Sequence, residues 1–224
     1  MEKEVRNISS EQAEVRLAAP VEGQGRQVSG YGIVFNSLSE DLGGFREIIL
    51  PQAIEGVLER SDVFALLSHQ RERGVLARSD KGQGSMKLEV DEKGVRYSFE
   101  APTFDLGNEL VQGIERGDIK SSSFGFTVNK EGQKVIRNKD GSYLRTIVQF
   151  NQIHDMSPTY RAAYSDTSVL VRSLEEIATE EEVKPTVEEP TVDVITETEE
   201  RTMDTEERFL YQKNKMFKLK TNKE

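Results

Sequence analysis

Between residues 28 and 150 apolar and polar side chains alternate in short runs, with glycine, asparagine and aspartate standing between the runs. A period of two sends neighbouring side chains to opposite faces of an extended chain, so the pattern restricts the fold to strands that each bury one face. Residues 28–35, 45–50, 62–69, 85–91 and 95–101 have the length and residue types of such strands. Glu92-Lys93-Gly94 joins the last two as a tight hairpin, with Gly94 expected at positive φ. Asn138-Lys139-Asp140-Gly141 joins 134–137 to 142–150 in a second hairpin, and its Asp-Gly pair is a strong turn signal. Two stretches carry helical spacing instead. Residues 51–60 open with Pro51 and bring Ile54, Val57 and Leu58 to one face. In 105–117, Asp105 can cap, Leu106, Leu110 and Ile114 recur every fourth residue, and Gly117 can close the end. Strands interrupted by helices predict an α+β domain that is mostly β, a single barrel-like or sandwich-like body with flanking helices.

The alternation stops near residue 173. Residues 173–207 are rich in Glu, Thr, Val and Pro and lack aromatics. Such a composition buries too little apolar surface to offset chain entropy, so this segment is expected to be an acidic, disordered tail. Residues 208–224 turn basic and carry Phe209, Leu210, Tyr211, Met216, Phe217 and Leu219, which suits either a short amphipathic docking segment or a plain basic end. The expected layout is a lead-in at 1–27 that is strand in part, a domain at 28–172, and these two trailing segments.

Composition removes several functions. The 224 residues carry a formal charge of −10 and no cysteine, which excludes thiol nucleophiles, disulfides and thiolate metal sites. An acidic balance argues against a nucleic-acid partner. No apolar run approaches the roughly 20 residues of a membrane span, and the first residues lack the apolar core of a signal peptide. No metal or cofactor is expected, since HExxH is absent and the two histidines, His69 and His154, are far apart in sequence. Any histidine chemistry must use one of those two.

Three segments could carry chemistry. Residues 64–69 form an apolar run ending in His69 where polar sequence begins, a position from which an imidazole can act as a base or simply face water. If that strand alternates to its end, Val63, Ala65, Leu67 and His69 share one face. In Ser121-Ser-Ser-Phe-Gly-Phe126, alternation puts Ser121, Ser123 and Gly125 on one face and Ser122, Phe124 and Phe126 on the other. The phenylalanines belong in the core, so Ser123 rather than Ser122 is the candidate nucleophile. It would face outward beside Gly125, whose bare backbone leaves room for a substrate strand. A serine hydroxyl is inert without a neighbouring base, and the segment equally suits an ordinary strand. The third segment sets His154 beside Asp155; in an extended strand they face opposite ways, so one of them can join a site with Ser123 and His69.

The order of these segments resembles the caudovirus prohead protease family, related in fold to the herpesvirus assemblins. The match rests on Tyr31-Gly-Ile-Val-Phe35, the Ile49-Leu-Pro51 step, Leu66-Leu-Ser-His69 with Gly74-Val-Leu-Ala-Arg78, Gly117-Asp-Ile-Lys120, Ser123-Phe-Gly-Phe126, and Asp155-Met-Ser-Pro158 followed by Ala163-Tyr-Ser-Asp-Thr167. It implies an assemblin-like fold with His69 as general base and Ser123 as nucleophile. The family usually has Glu-Val-Ser where this chain has Asp155-Met-Ser157, which implies Asp155 as the third member. The assemblins use a second histidine there, which keeps His154 as the alternative. Backbone N–H groups of the 155–165 loop, with Arg161, are candidates for an oxyanion hole. Implied substrates are scaffold segments, capsid protein precursors and the protease itself, inside an assembling procapsid in the host cytoplasm, with self-association among its partners. A non-enzymatic assembly protein on the same fold is the competing reading. A small-molecule serine hydrolase fits poorly, because the chain lacks a Gly-x-Ser-x-Gly elbow.

Overall fold

The computed structural model of the chain describes residues 2–19, 25–160, 174, 177 and 178. In chain order its elements are β1 (Glu4–Ile8), α1 (Ser10–Ala13), β2 (Arg16–Leu17), β3 (Gln27–Val34), β4 (Phe45–Ile49), β5 (Asp62–Ala65), β6 (Ala77–Asp80), β7 (Gln83–Gly84), β8 (Met86–Val90), β9 (Gly94–Glu100), α2 (Asp105–Arg116), β10 (Ser121–Thr127), β11 (Gln133–Arg137), β12 (Tyr143–Ile147) and β13 (Gln152–Thr159). The described residues are mostly β. The strands form three open sheets ordered β1-β10-β13-β5-β6-β7, β2-β3-β9-β8 and β11-β12-β4, so a barrel does not close.

The predicted alternation locates the core. Val28, Ile33, Val63, Ala65, Val95, Tyr97 and Phe99 are buried in one apolar cluster with Phe124, Phe126 and Phe150. Phe124 stacks on Phe126 with ring centroids 5.0 Å apart, and Phe150 meets both edge-on. Helix α2 lays Leu106 and Leu110 into the cluster. Gly117, left-handed at φ +78°, ends it by donating its N–H to the Gly113 and Ile114 carbonyls. Asp105 lies in the first turn and Phe104 takes the cap position.

Three local expectations change. The stretch 51–60 is a 3-10 turn (Pro51–Ile54) running into further turns, because Gly56 at φ +62° interrupts any helix; Ile54, Val57 and Leu58 are buried all the same. Gly94 is absent from the positive-φ positions. Its hairpin is held instead by Asp91, whose Oδ1 accepts the Lys93 and Gly94 N–H groups at 2.8 and 2.9 Å. The strand expected over 62–69 ends at Ala65, since Ser68 and His69 both turn left-handed, at φ +52° and +63°.

A buried charge cluster joins two of the sheets. Arg6 of β1 bonds Glu47 of β4 at 3.0 and 3.1 Å, and Arg145 of β12 bonds Glu47 at 2.9 Å and Glu4 of β1 at 2.5 and 2.8 Å. Two cations and two anions balance; Arg6 also donates to Glu4 and to the Val5 carbonyl, and Arg145 to the Gln133 amide oxygen, so the buried charge is both paired and hydrogen-bonded. The trailing segments expected at 173–207 and 208–224 lie outside the described residues except for Leu174, Ile177 and Ala178, which pack on Phe45, Val135 and Tyr143.

Candidate active site

Strand β10 lies between β1 and β13, and its register with both assembles the site. Ser123 stands opposite Asn7 of β1 and Ser157 of β13, while Gly125 stands opposite Asp155. Directly opposed residues in a ladder share a face, so Ser123, Ser157, Gly125 and Asp155 line one side of the sheet. Phe124 and Met156 line the other, in the core. Ser122 shares that inner side, where its hydroxyl sits 2.8 Å from the Tyr97 phenol oxygen. A shift of register between Gly125 and Phe126 leaves His154 unpaired in the ladder, with Ile153 facing Phe126 and Asp155 facing Gly125.

His69 reaches this face from the turn after β5. Leu67, wholly buried, anchors the turn, and the Ser68 N–H donates to the Pro158 carbonyl of β13 at 3.1 Å. Two consecutive non-glycine residues in the left-handed region cost about 1–3 kcal/mol each, a strain that the surrounding contacts must hold in place. The result is that the His69 Nδ1 is hydrogen-bonded to the Asp155 Oδ1. His69 Nε2 is buried and has no hydrogen-bond partner among the described residues.

Asp155, 1% exposed, is the hub. Its Oδ1 also accepts the Ser157 hydroxyl at 2.8 Å, and its Oδ2 pairs with the Lys3 ammonium at 2.7 Å. The Ser157 contact arises from the i, i+2 spacing in Asp-Met-Ser, which points both side chains the same way. Burial pushes the Asp155 carboxyl up, but hydrogen bonds and charge from His69 and Lys3 outweigh it and leave the group below its ordinary range. His154 is shifted down by burial and by the nearby Lys3 charge, against the pull of Asp155. Its Nε2 is buried without a hydrogen-bond partner among the described residues.

Two expectations about Ser123 need correction. The residue does not face outward: β1 pairs along β10, and Ser123 is fully buried. Its hydroxyl donates to the Arg6 carbonyl at 2.8 Å. Nor is the space over Gly125 open. A Cβ there would lie 2.3 Å from the Lys3 Cε and 2.5 Å from the Asp155 Oδ2, so the bare glycine accommodates those two side chains. Lys3 carries no signal in the sequence, because its approach depends on the pairing of β1 with β10, more than a hundred residues away. Arg161 lies outside the described residues. A cavity of about 430 Å³ beside α2 is lined by Asp105, Asn108, Glu109, Arg116 and Tyr160, and neither Ser123 nor His69 borders it. Among the described residues no group of three His, Cys, Asp or Glu could hold a metal ion, and no helix is long and apolar enough to cross a membrane.

The sequence matches the caudovirus prohead serine protease family over residues 11–181. No curated protein matches it. Among solved structures it is similar to the bacteriophage T4 capsid assembly protease, gp21, at 11% identity and a TM-score of 0.39, covering 71% of this chain and 96% of that one; so slight a likeness adds nothing about the site. The family match spans β2 to β13, with the turn that carries His69 and the strands that carry Ser123 and Asp155, and on that match the chain belongs to the caudovirus prohead serine proteases.

Proposed function

We propose that the chain is a serine endopeptidase of capsid maturation in which Ser123 is the nucleophile, His69 the general base and Asp155 the group that orients His69. The observation that carries this reading is the bond between His69 Nδ1 and the buried Asp155 carboxylate, on the sheet face that also bears Ser123. That bond fixes the tautomer that leaves Nε2 free to take a proton, and a carboxylate there stabilises the imidazolium that forms. His154 makes no such bond, which favours Asp155 as third member.

In the reaction the Ser123 hydroxyl turns from the Arg6 carbonyl toward His69 Nε2. Its oxygen attacks a scissile peptide carbonyl as the proton passes to His69. His69 then protonates the leaving amine, and water, deprotonated in turn by His69, releases the acyl group and restores Ser123. The substrates are scaffold and capsid precursor segments within the procapsid of an infected cell, together with the acidic 173–207 stretch of the protease itself. Residues 208–224 serve as a basic docking segment, and the enzyme associates with copies of itself.

A second reading, a non-enzymatic assembly protein, draws on the burial of Ser123 and on its hydroxyl being held by Arg6. Intact mass spectrometry of the full chain beside Ser123→Ala, each with and without added scaffold and capsid precursors, separates the two. Fragments from the wild type alone establish the endopeptidase. Intact chains in every mixture favour the assembly protein.

A further inference from the structure

The Asp155 carboxylate has two oxygens and only one faces the imidazole. Its Oδ1 is taken by His69 and Ser157. Its Oδ2 is buried, and among the described residues the one group that meets it is the Lys3 ammonium. A buried carboxylate oxygen with no partner is costly, and a carboxylate held at one end alone is free to rotate or to take up a proton. We propose that Lys3 is a positioning residue of the catalytic group, holding Asp155 Oδ2 so that Oδ1 stays ionised and aimed at His69.

Three observations converge on this role, which rests on the reading of Asp155 as the orienting group. The ammonium lies 2.7 Å from Oδ2 while the Lys3 side chain remains 43% exposed, so the lysine reaches the site without losing its hydration. Gly125 is the floor on which it lies, and any side chain there would strike both Lys3 and Asp155. The ladder of β1 with β10 delivers Lys3 to that floor, one residue before the strand begins. The other ionisable groups facing Asp155 are His69, from the turn after β5, and half-buried His154, on its own strand. Neither meets Oδ2. Lys3 itself precedes the matched residues 11–181, while Gly125 and Asp155 lie within them.

The test monitors the Asp155 carboxyl carbon by NMR in the full chain, its resonance identified by its loss in Asp155→Asn. Wild type, Lys3→Met and Lys3→Arg are titrated, and the rate of Ser123 labelling by a fluorophosphonate is measured across the same pH range. Lys3→Met should raise the pH at which Asp155 takes up its proton and slow labelling about tenfold at mildly acid pH, with both effects reversed in Lys3→Arg. Lys3→Met leaves Oδ2 buried without a partner, so a urea melt of each variant accompanies the titration and only folded protein is compared; Lys3→Arg keeps the charge in place. Equal titration of Asp155 in wild type and Lys3→Met overturns the proposal whatever the labelling rates. A shifted titration together with no labelling of Ser123 even in the wild type upholds the Lys3–Asp155 link and overturns instead the assignment of Ser123 as nucleophile.

Discussion

Ser122 and Ser123 differ by one position along β10, and the pleat sends their hydroxyls to different tasks. Ser122 bonds the buried Tyr97 phenol, whose ionisation burial pushes up and away from neutral pH. Ser122→Ala leaves that hydroxyl unpaired in the core, which should cost about 1–3 kcal/mol in a denaturant melt while hydrolysis survives. Ser123→Ala should reverse the pattern, staying folded and losing hydrolysis. Asp155→Asn should lower kcat by on the order of a thousandfold, because an amide cannot hold the tautomer or stabilise the imidazolium, and single-turnover kinetics would register the loss at the acylation step. That Ser122 and Ser123 lie on opposite faces was legible in the sequence, since Phe124 and Phe126 declare which face is the core. The burial of Ser123 was not, because it depends on β1 arriving from a distant part of the chain.

At the scale of elements, what could be read was what is written locally. The two hairpins arise from their turn residues, and α2 arises from Leu106, Leu110 and Gly117. The turn that presents His69 was not readable, because nothing in Leu-Leu-Ser-His demands two left-handed residues. Contacts to β13 impose them. Gly94 shows the same limit in another form. Its place in a hairpin was correctly anticipated, but its backbone is not left-handed; a Cβ there would come within 1.9 Å of the Ile33 carbonyl oxygen. The clash is with main chain of the neighbouring β3, which cannot give without moving the strand. Gly94→Ala should therefore destabilise the domain by about 1–3 kcal/mol, and calorimetry should find a lowered Tm with the site intact in the folded fraction. A mutant as stable as wild type would mean that β3 and β9 can part at no cost.

The molecule as a whole is held across its sheets by charge as well as by apolar packing. Arg145, 1% exposed, joins β12 to Glu47 and to Glu4, so removing it leaves those two carboxylates to share the single cation of Arg6. Arg145→Met should cost about 3–5 kcal/mol in a urea melt, the penalty for leaving one buried negative charge uncompensated. The same cluster links stability to pH. Burial pushes the Glu4 carboxyl up, but Arg145 and Arg6 outweigh it and hold the group below its ordinary value of 4.5. A carboxyl depressed in the folded state binds its proton more readily in the unfolded chain. Its contribution is therefore fully present above about pH 4.5 and drains away as pH falls through the lower, folded value. In Asp155 burial is likewise outweighed, by His69 and Lys3, and its lowered carboxyl adds a second loss that sets in below its ordinary value of 3.8. Glu4→Gln removes the first contribution alone. Urea melts should show the variant weaker than wild type near neutrality, with the gap narrowing as pH drops below 4.5. A gap of constant size from neutral to acid pH would show that Glu4 supports the cluster by shape and hydrogen bonding, with its charge contributing nothing.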